Sequence, residues 1–179
     1  MRDLSRKHSR GRSQEDKSKS FTPYTQRPVE LWLKHEVLPE LRTRSSPDID
    51  ETLGGTKAPL TARMQFLRRH LKGFPLFEVQ PKLSVHILAS RLGVPNRYTD
   101  TYRHLERGAY ARAEILEKFI RELGLFIYDR DVRKLSQNLS AFDAFICALT
   151  VWLEGQEDCE EMPERFPDPL GWVLYPKLT

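Results

Sequence analysis

The sequence predicts an α/β protein, rich in helices with few strands, on three observations. Five segments carry apolar residues at helical spacing. Phe74 to Val79 is a short apolar, aromatic run between Gly73 and Pro81, the signature of a strand. A second such run, Gly171-Trp172-Val173-Leu174-Tyr175-Pro176, reads as an edge strand closed by proline. An α/β layer buries its helices against a sheet, so this inventory leaves the sheet mostly missing.

The first helix spans about Pro28 to Leu38, because proline suits the first helical position and Glu30 the first turn. Residues 43–58 carry Ser45, Ser46, Pro47, Gly54 and Gly55 and read as a loop. Leu60, Met64, Leu67 and Leu71 then form an apolar stripe opposite Arg63, Arg69 and His70, and Gly73 stops that helix. After the strand, Pro81 opens a helix that runs through Leu92 to a stop at Gly93. The most regular helix is Gly108 to Leu123, with Ala113, Leu116, Phe119, Ile120 and Leu123 on one stripe. A last helix covers Leu139 to Leu153, and an acidic connection (Glu154, Glu157, Asp158, Glu160, Glu161, Glu164) leads to the second strand.

With 179 residues and a hydrophobic share of 39%, the chain can build one core. The formal charge of +4 sits in residues 1–20, where Arg2, Arg6, Lys7, Arg10, Arg12, Lys17 and Lys19 outnumber Asp3, Glu15 and Asp16. That basic segment reads as a disordered tail, and residues 21–179, which sum to zero charge, as a partial domain. Cys147 and Cys159 lack partners at metal-ligand spacing, which excludes a disulfide framework and a structural zinc site. No apolar run approaches the ~20 residues that span a bilayer, so no membrane partner is expected and the cytoplasm is the expected compartment.

Asp143 and Glu78 are the candidate site residues. At ~100° per residue Asp143 lies beside Leu139, Ile146 and Thr150, where a carboxylate is partly desolvated unless a cation meets it. A divalent metal is one such cation. The other reading is structural: Ser140-Ala141-Phe142-Asp143 matches a capping box, with Ser140 as N-cap. Glu78 falls near the carboxyl end of the first strand, where open α/β sheets place their ligands, although strand alternation equally suits a solvated glutamate.

Phe77-Glu78-Val79-Gln80-Pro81, Ser140-Ala141-Phe142-Asp143-Ala144-Phe145-Ile146-Cys147-Ala148-Leu149-Thr150 and Gly171-Trp172-Val173-Leu174-Tyr175-Pro176 follow one another as do three signatures of one prokaryotic family. The chain resembles that family, domain-of-unknown-function family four-twenty-nine, whose members are predicted RNase-H-like nucleases. Thr22-Pro23-Tyr24-Thr25-Gln26-Arg27 resembles a further segment of some members, so the likeness extends over about residues 21–176. It implies the C-terminal portion of an RNase-H-like fold, with Asp143 as catalytic residue and metal ligand and Glu78 as its neighbour. It further implies Mg²⁺ or Mn²⁺ as cofactor and nucleic acid as partner. Two such ions would stabilise the attacking and leaving oxygens of phosphodiester hydrolysis. The chain departs from the family in two places. No Asp-bearing strand precedes Phe21, and Ser140 stands where members often carry a second aspartate. One or two carboxylates do not make a two-metal site, so the chain by itself is expected to be inactive.

A competing reading takes residues 85–107 as a nucleic-acid-binding helix-turn-helix. Ile87-Leu88-Ala89-Ser90-Arg91-Leu92-Gly93-Val94 supplies the first helix, and Arg97, Arg103 and Arg107 the phosphate contacts. Its second half fits poorly, because Thr99, Asp100 and Thr101 occupy positions where a recognition helix needs an apolar anchor. Gly54-Gly55-Thr56-Lys57 lacks the first glycine of a phosphate-binding loop, and His35, His70, His86 and His104 show no metal-binding spacing.

Overall fold

A computed structural model describes residues 26–41, 47–54, 57–167 and 171–178. The basic tail, the segment Thr22 to Thr25 and the loop residues Ser45, Ser46, Gly55 and Thr56 lie outside the described residues.

The architecture corrects the expected class. The described residues form helices packed on helices, and extended pairing is confined to two isolated bridges, Val79 with Leu174 (parallel) and Cys159 with Pro176 (antiparallel). An α/β protein, and an RNase-H-like fold in particular, needs a sheet; these residues contain none, so the α/β assignment is wrong for them. The reason is physical. The two apolar runs do pair with each other, but through little more than one residue each, and the helices bury their stripes mutually instead.

The elements are α1 (Pro28–Trp32), α2 (Ala58–Arg68), α3 (Pro81–Arg91), α4 (Asn96–Thr101), α5 (Gly108–Glu122), α6 (Asp129–Gln137) and α7 (Leu139–Glu154). α1 does not continue as the uniform helix expected to Leu38. It widens into a π-helical turn, Leu33–Val37, and tightens into a 3₁₀ turn, Leu38–Glu40. Pro39 explains the change, because it donates no N–H and its ring crowds the carbonyl four residues back, so the hydrogen-bond register shifts ahead of it.

The short helices α4 and α6 have no sequence counterpart above. α6 contributes only Val132 and Leu135 to the core, too few to set a period, but Asp129 and Asp131 in its first turn and Lys134 in its last suit the helix dipole. The glycines after α3 and α5 act as expected for chain reversal. Gly93 (φ 69°) lets Val94 N–H reach the Ala89 carbonyl at 2.8 Å, and Gly124 (φ 63°) lets Leu125 N–H reach that of Ile120 at 2.9 Å.

The main core joins α3, α4, α5 and α7 through Val85, Leu88, Tyr98, Tyr102, Ile115, Leu116, Phe119, Phe142, Ile146 and Leu149. Phe142, Ile146 and Leu149 are buried together with Val79 against them, as the stripe of the last helix requires, while Phe145 is half-buried and Phe77 exposed. A second cluster gathers Val29, Leu33, Val37, Ile49, Leu83, Ile87, Phe166, Val173 and Tyr175 under α1. Arg112 is buried at the centre of the bundle and donates to the carbonyls of Ser136 (2.7 Å), Tyr102 and Gln137 (3.5 Å), so one guanidinium closes the ends of α4 and α6. Gly108 makes this approach possible, since a Cβ there would stand 2.6 Å from the Tyr102 carbonyl oxygen.

Candidate functional site

Asp143 lies in the first turns of α7, one residue beyond the fully buried Phe142. It is not the capping residue that the sequence allowed. Asn138 is the N-cap, its Oδ1 accepting the Ala141 N–H at 3.0 Å, and Ser140 lies inside the helix. The Asp143 side chain instead faces Arg103, just beyond the end of α4, whose Nη1 donates to both carboxylate oxygens at 3.0 Å. The same guanidinium packs 5.5 Å from the Tyr102 ring centre, and Tyr102 rests on Phe142, so the pair stands on an aromatic floor.

Burial pushes the Asp143 carboxyl above its ordinary value, and the opposing pull of Arg103, Lys82 and Arg112 does not cancel the effect. Lys82, in the first turn of α3, extends the polar strip. Its Nζ donates to Asp50 Oδ1 at 3.1 Å, and Lys57 approaches the same carboxylate at 3.6 Å. Burial alone would raise Asp50, but Lys82 and Lys57 hold it below the ordinary carboxylate range. Two carboxylates near one lysine are therefore pushed in opposite directions. Tyr102 borders the strip, its hydroxyl driven up by burial, and His86 is pushed down by burial while its Nδ1 sits 2.8 Å from the Lys82 carbonyl.

Glu78 belongs to a different cluster. Arg27 Nη1 and Nη2 donate to its two oxygens at 2.8 and 2.5 Å, and Arg27 Nε donates to Glu30 at 3.1 Å. Glu30 is fully buried and saturated with donors, since it also accepts from the Arg27 backbone N–H (3.1 Å), the Thr52 N–H (3.0 Å) and the Thr52 hydroxyl (2.6 Å). Hydrogen bonding to Glu78, followed by burial as the opposing influence, leaves the Arg27 guanidinium above its ordinary value. Glu78 is thus a bidentate partner of Arg27 beside the Val79 bridge, with a side chain 42% exposed.

The structure therefore places each sequence candidate in its own arginine pair. Among the described residues no three acidic, histidine or cysteine side chains come together to hold a metal ion. Asp143 can offer a divalent ion one carboxylate in exchange for Arg103, and Glu78 likewise in exchange for Arg27. The donor set of a two-metal site is not assembled by these residues, so no catalytic step through a metal follows from them. Sequence reasoning passed over Asp50, Lys82 and the pairing role of Arg103. The signal for Lys82 was its place directly after Pro81 in the first turn following the strand; Asp50, in a loop of turn-forming residues, offered none.

The helix-turn-helix arginines are largely engaged inside the chain. Arg103 holds Asp143, and Arg97 stacks 4.7 Å over the Tyr98 ring and donates to its hydroxyl at 2.9 Å. α4 has six residues, with Tyr98 and Thr99 buried, which is short for an element that must fill a major groove. No described helix is long and apolar enough to cross a membrane. Comparison with protein-family models, with curated proteins and with solved structures finds no match to the chain.

Proposed function

We propose that this chain contributes a carboxylate to a metal-dependent nuclease and is inactive by itself. The reading rests on the order of the three motifs and on one observation, the placement of Asp143. Asn138 caps α7, so the helix does not need Asp143, and burial holds its carboxyl at an electrostatic cost beside three cations. A carboxylate kept where stability does not call for it points to a task in binding or catalysis. Arg103 and Lys82, both part-exposed, suit an anionic phosphodiester, whereas Arg112 is buried on main-chain carbonyls; a divalent ion is the ligand that a partly desolvated aspartate would exchange for its arginine. Mg²⁺ or Mn²⁺ is the ion we assign and nucleic acid the substrate; Glu78, held by Arg27 in a separate pair, is not brought to Asp143 by this chain. With both carboxylates engaged by arginine, the purified chain is expected to leave DNA and RNA uncut in either ion.

The test is thermal melting of wild type and Asp143→Asn, with and without millimolar Mn²⁺. A carboxyl raised in the folded state contributes stability below its unfolded pKa and loses it as pH rises through the folded value. At neutral pH the charge is therefore a burden, and without metal the Asn variant should melt at or above wild type. Added Mn²⁺ should raise the melting temperature of wild type by mass action and leave the variant unmoved. An equal metal-induced rise in both proteins would refute the assignment of Asp143.

A further inference from the structure

Among the described residues, Asp50 is held by two lysines and by no arginine. Lys82 Nζ, in the first turn of α3, lies 3.1 Å from each of its carboxylate oxygens, and Lys57 Nζ, just ahead of α2, lies 3.6 Å from Oδ2. Asp50 stands in segment 47–54, which forms neither helix nor strand. That segment does not depend on the lysines for its place. Ile49, 2% exposed, is buried in the second core cluster on one side of Asp50, and Thr52 donates its N–H and its hydroxyl to the buried Glu30 on the other. The Asp50 side chain is 28% exposed, so it can turn from the lysines into water while Ile49 and Thr52 stay seated. An ion pair exposed to this degree adds little to stability, and a competing anion can displace it.

The chemistry of the pairing says which anion. Where this chain ties its elements together through carboxylates, it uses the planar fork of arginine. Arg27 grips both oxygens of Glu78, and Arg91 grips those of Asp158 at 2.8 and 2.6 Å. Two lysines on one acceptor are instead point charges with rotating donors, which suit the several oxygens of a phosphate. Asp50 also brings one negative charge to two positive ones, so the lysine pair is left short of counter-charge. The charge of Lys82 is felt at Asp143, so an anion seated on Lys82 lies beside the carboxylate assigned to the chemistry.

We propose that Asp50 is an autoinhibitory contact, a carboxylate that occupies on Lys57 and Lys82 the place of a nucleic-acid phosphate. The phosphate enters as the Asp50 side chain turns out. This inference rests on the nuclease reading for the identity of the polyanion, yet its test needs no metal. A chain that shows the contact while Asp143 ignores Mn²⁺ would keep the inference and lose the function.

The experiment is fluorescence anisotropy of a labelled single-stranded DNA dodecamer with the full chain, at physiological salt and without divalent ions. The basic residues 1–20 are common to all variants and cancel in the comparison. Asp50→Asn removes the competing charge and keeps the shape of the side chain, so it should bind at least about fivefold tighter than wild type. Glu51→Gln removes the same charge one residue away, from Lys34 rather than from the lysine pair, and screening should keep it within about twofold of wild type. Adding Lys82→Met to Asp50→Asn should cancel the gain. Equal gains in the Asn and Gln variants, a gain that survives Lys82→Met, or the same gain for a labelled oligoglutamate of equal charge would each overturn the proposal. So would an Asn variant that melts like wild type and binds no tighter. Wild type gives a reading that does not depend on the variants folding: saturating DNA should shift the carboxyl carbon signal of Asp50 more than that of Glu51, and an unmoved Asp50 signal would rule the contact out.

Discussion

Replacing Arg112 with alanine should destabilise the chain by about 4 kcal/mol, and the melting temperature should fall by roughly 10 °C or more. The guanidinium is buried and its acceptors are main-chain carbonyls of Tyr102, Ser136 and Gln137, groups at the ends of α4 and α6. An unsatisfied buried acceptor costs about 1–3 kcal/mol, and truncation leaves three of them around a cavity. Burial already pulls the Arg112 pKa below its ordinary value, so the charge itself gives the fold little. The carbonyls are what need it. Arg112→Lys should recover part of the loss, because an ammonium reaches fewer of the three carbonyls than the planar fork does. Chemical denaturation checks both numbers, and a loss under about 1 kcal/mol for Arg112→Ala would place the stability of the bundle elsewhere.

Phe142→Ala should cost about 3–5 kcal/mol. Its ring is fully buried between α7 and Tyr102, with ring centres 5.6 Å apart, and it floors the Arg103–Asp143 pair. The same truncation at Phe77, 48% exposed, should change the stability of the free chain by no more than about 0.5 kcal/mol. Melting of the two variants side by side checks the contrast. Equal losses would mean that Phe77 is covered in solution.

The helices were legible because their signals are local. Pro28, Pro81 and Gly93 mark ends that the structure keeps within a residue or two. Of the expected α5 stripe, Leu116 and Phe119 are buried and Ile120 and Leu123 half-buried against the core. Ala111 and Ile115, outside that stripe, are buried, while Ala113 is not in the core cluster. α4 was lost because its six residues hold one turn and a half, too short for a period to show, and its anchors Tyr98 and Tyr102 look like surface tyrosines in sequence. The class was misread because strand propensity is a statement about side chains, whereas a sheet also needs a neighbour for each edge. Residues 74–79 have the composition of a buried strand and are given a partner only at Val79.

The candidate site was legible in part for a similar reason. The position of Asp143 on an inward face follows from helical geometry, but its partner, Arg103, comes from a segment forty residues away. Glu78 was visible as a carboxylate at a strand end, while its hold on Arg27 depends on how α1 docks beside it. Charge pairs between distant elements are set by packing, which the local pattern does not encode.

If Asp143 exchanges Arg103 for a divalent ion, as proposed, Mn²⁺ will broaden the amide signals around it. In wild type the broadening should centre on Ala141 to Ala144. It should strengthen in Arg103→Met, where the competing guanidinium is gone, and vanish from that region in Asp143→Asn. Broadening that centres instead on the acidic run from Glu154 to Glu161, or that persists at α7 in the Asn variant, would contradict the account.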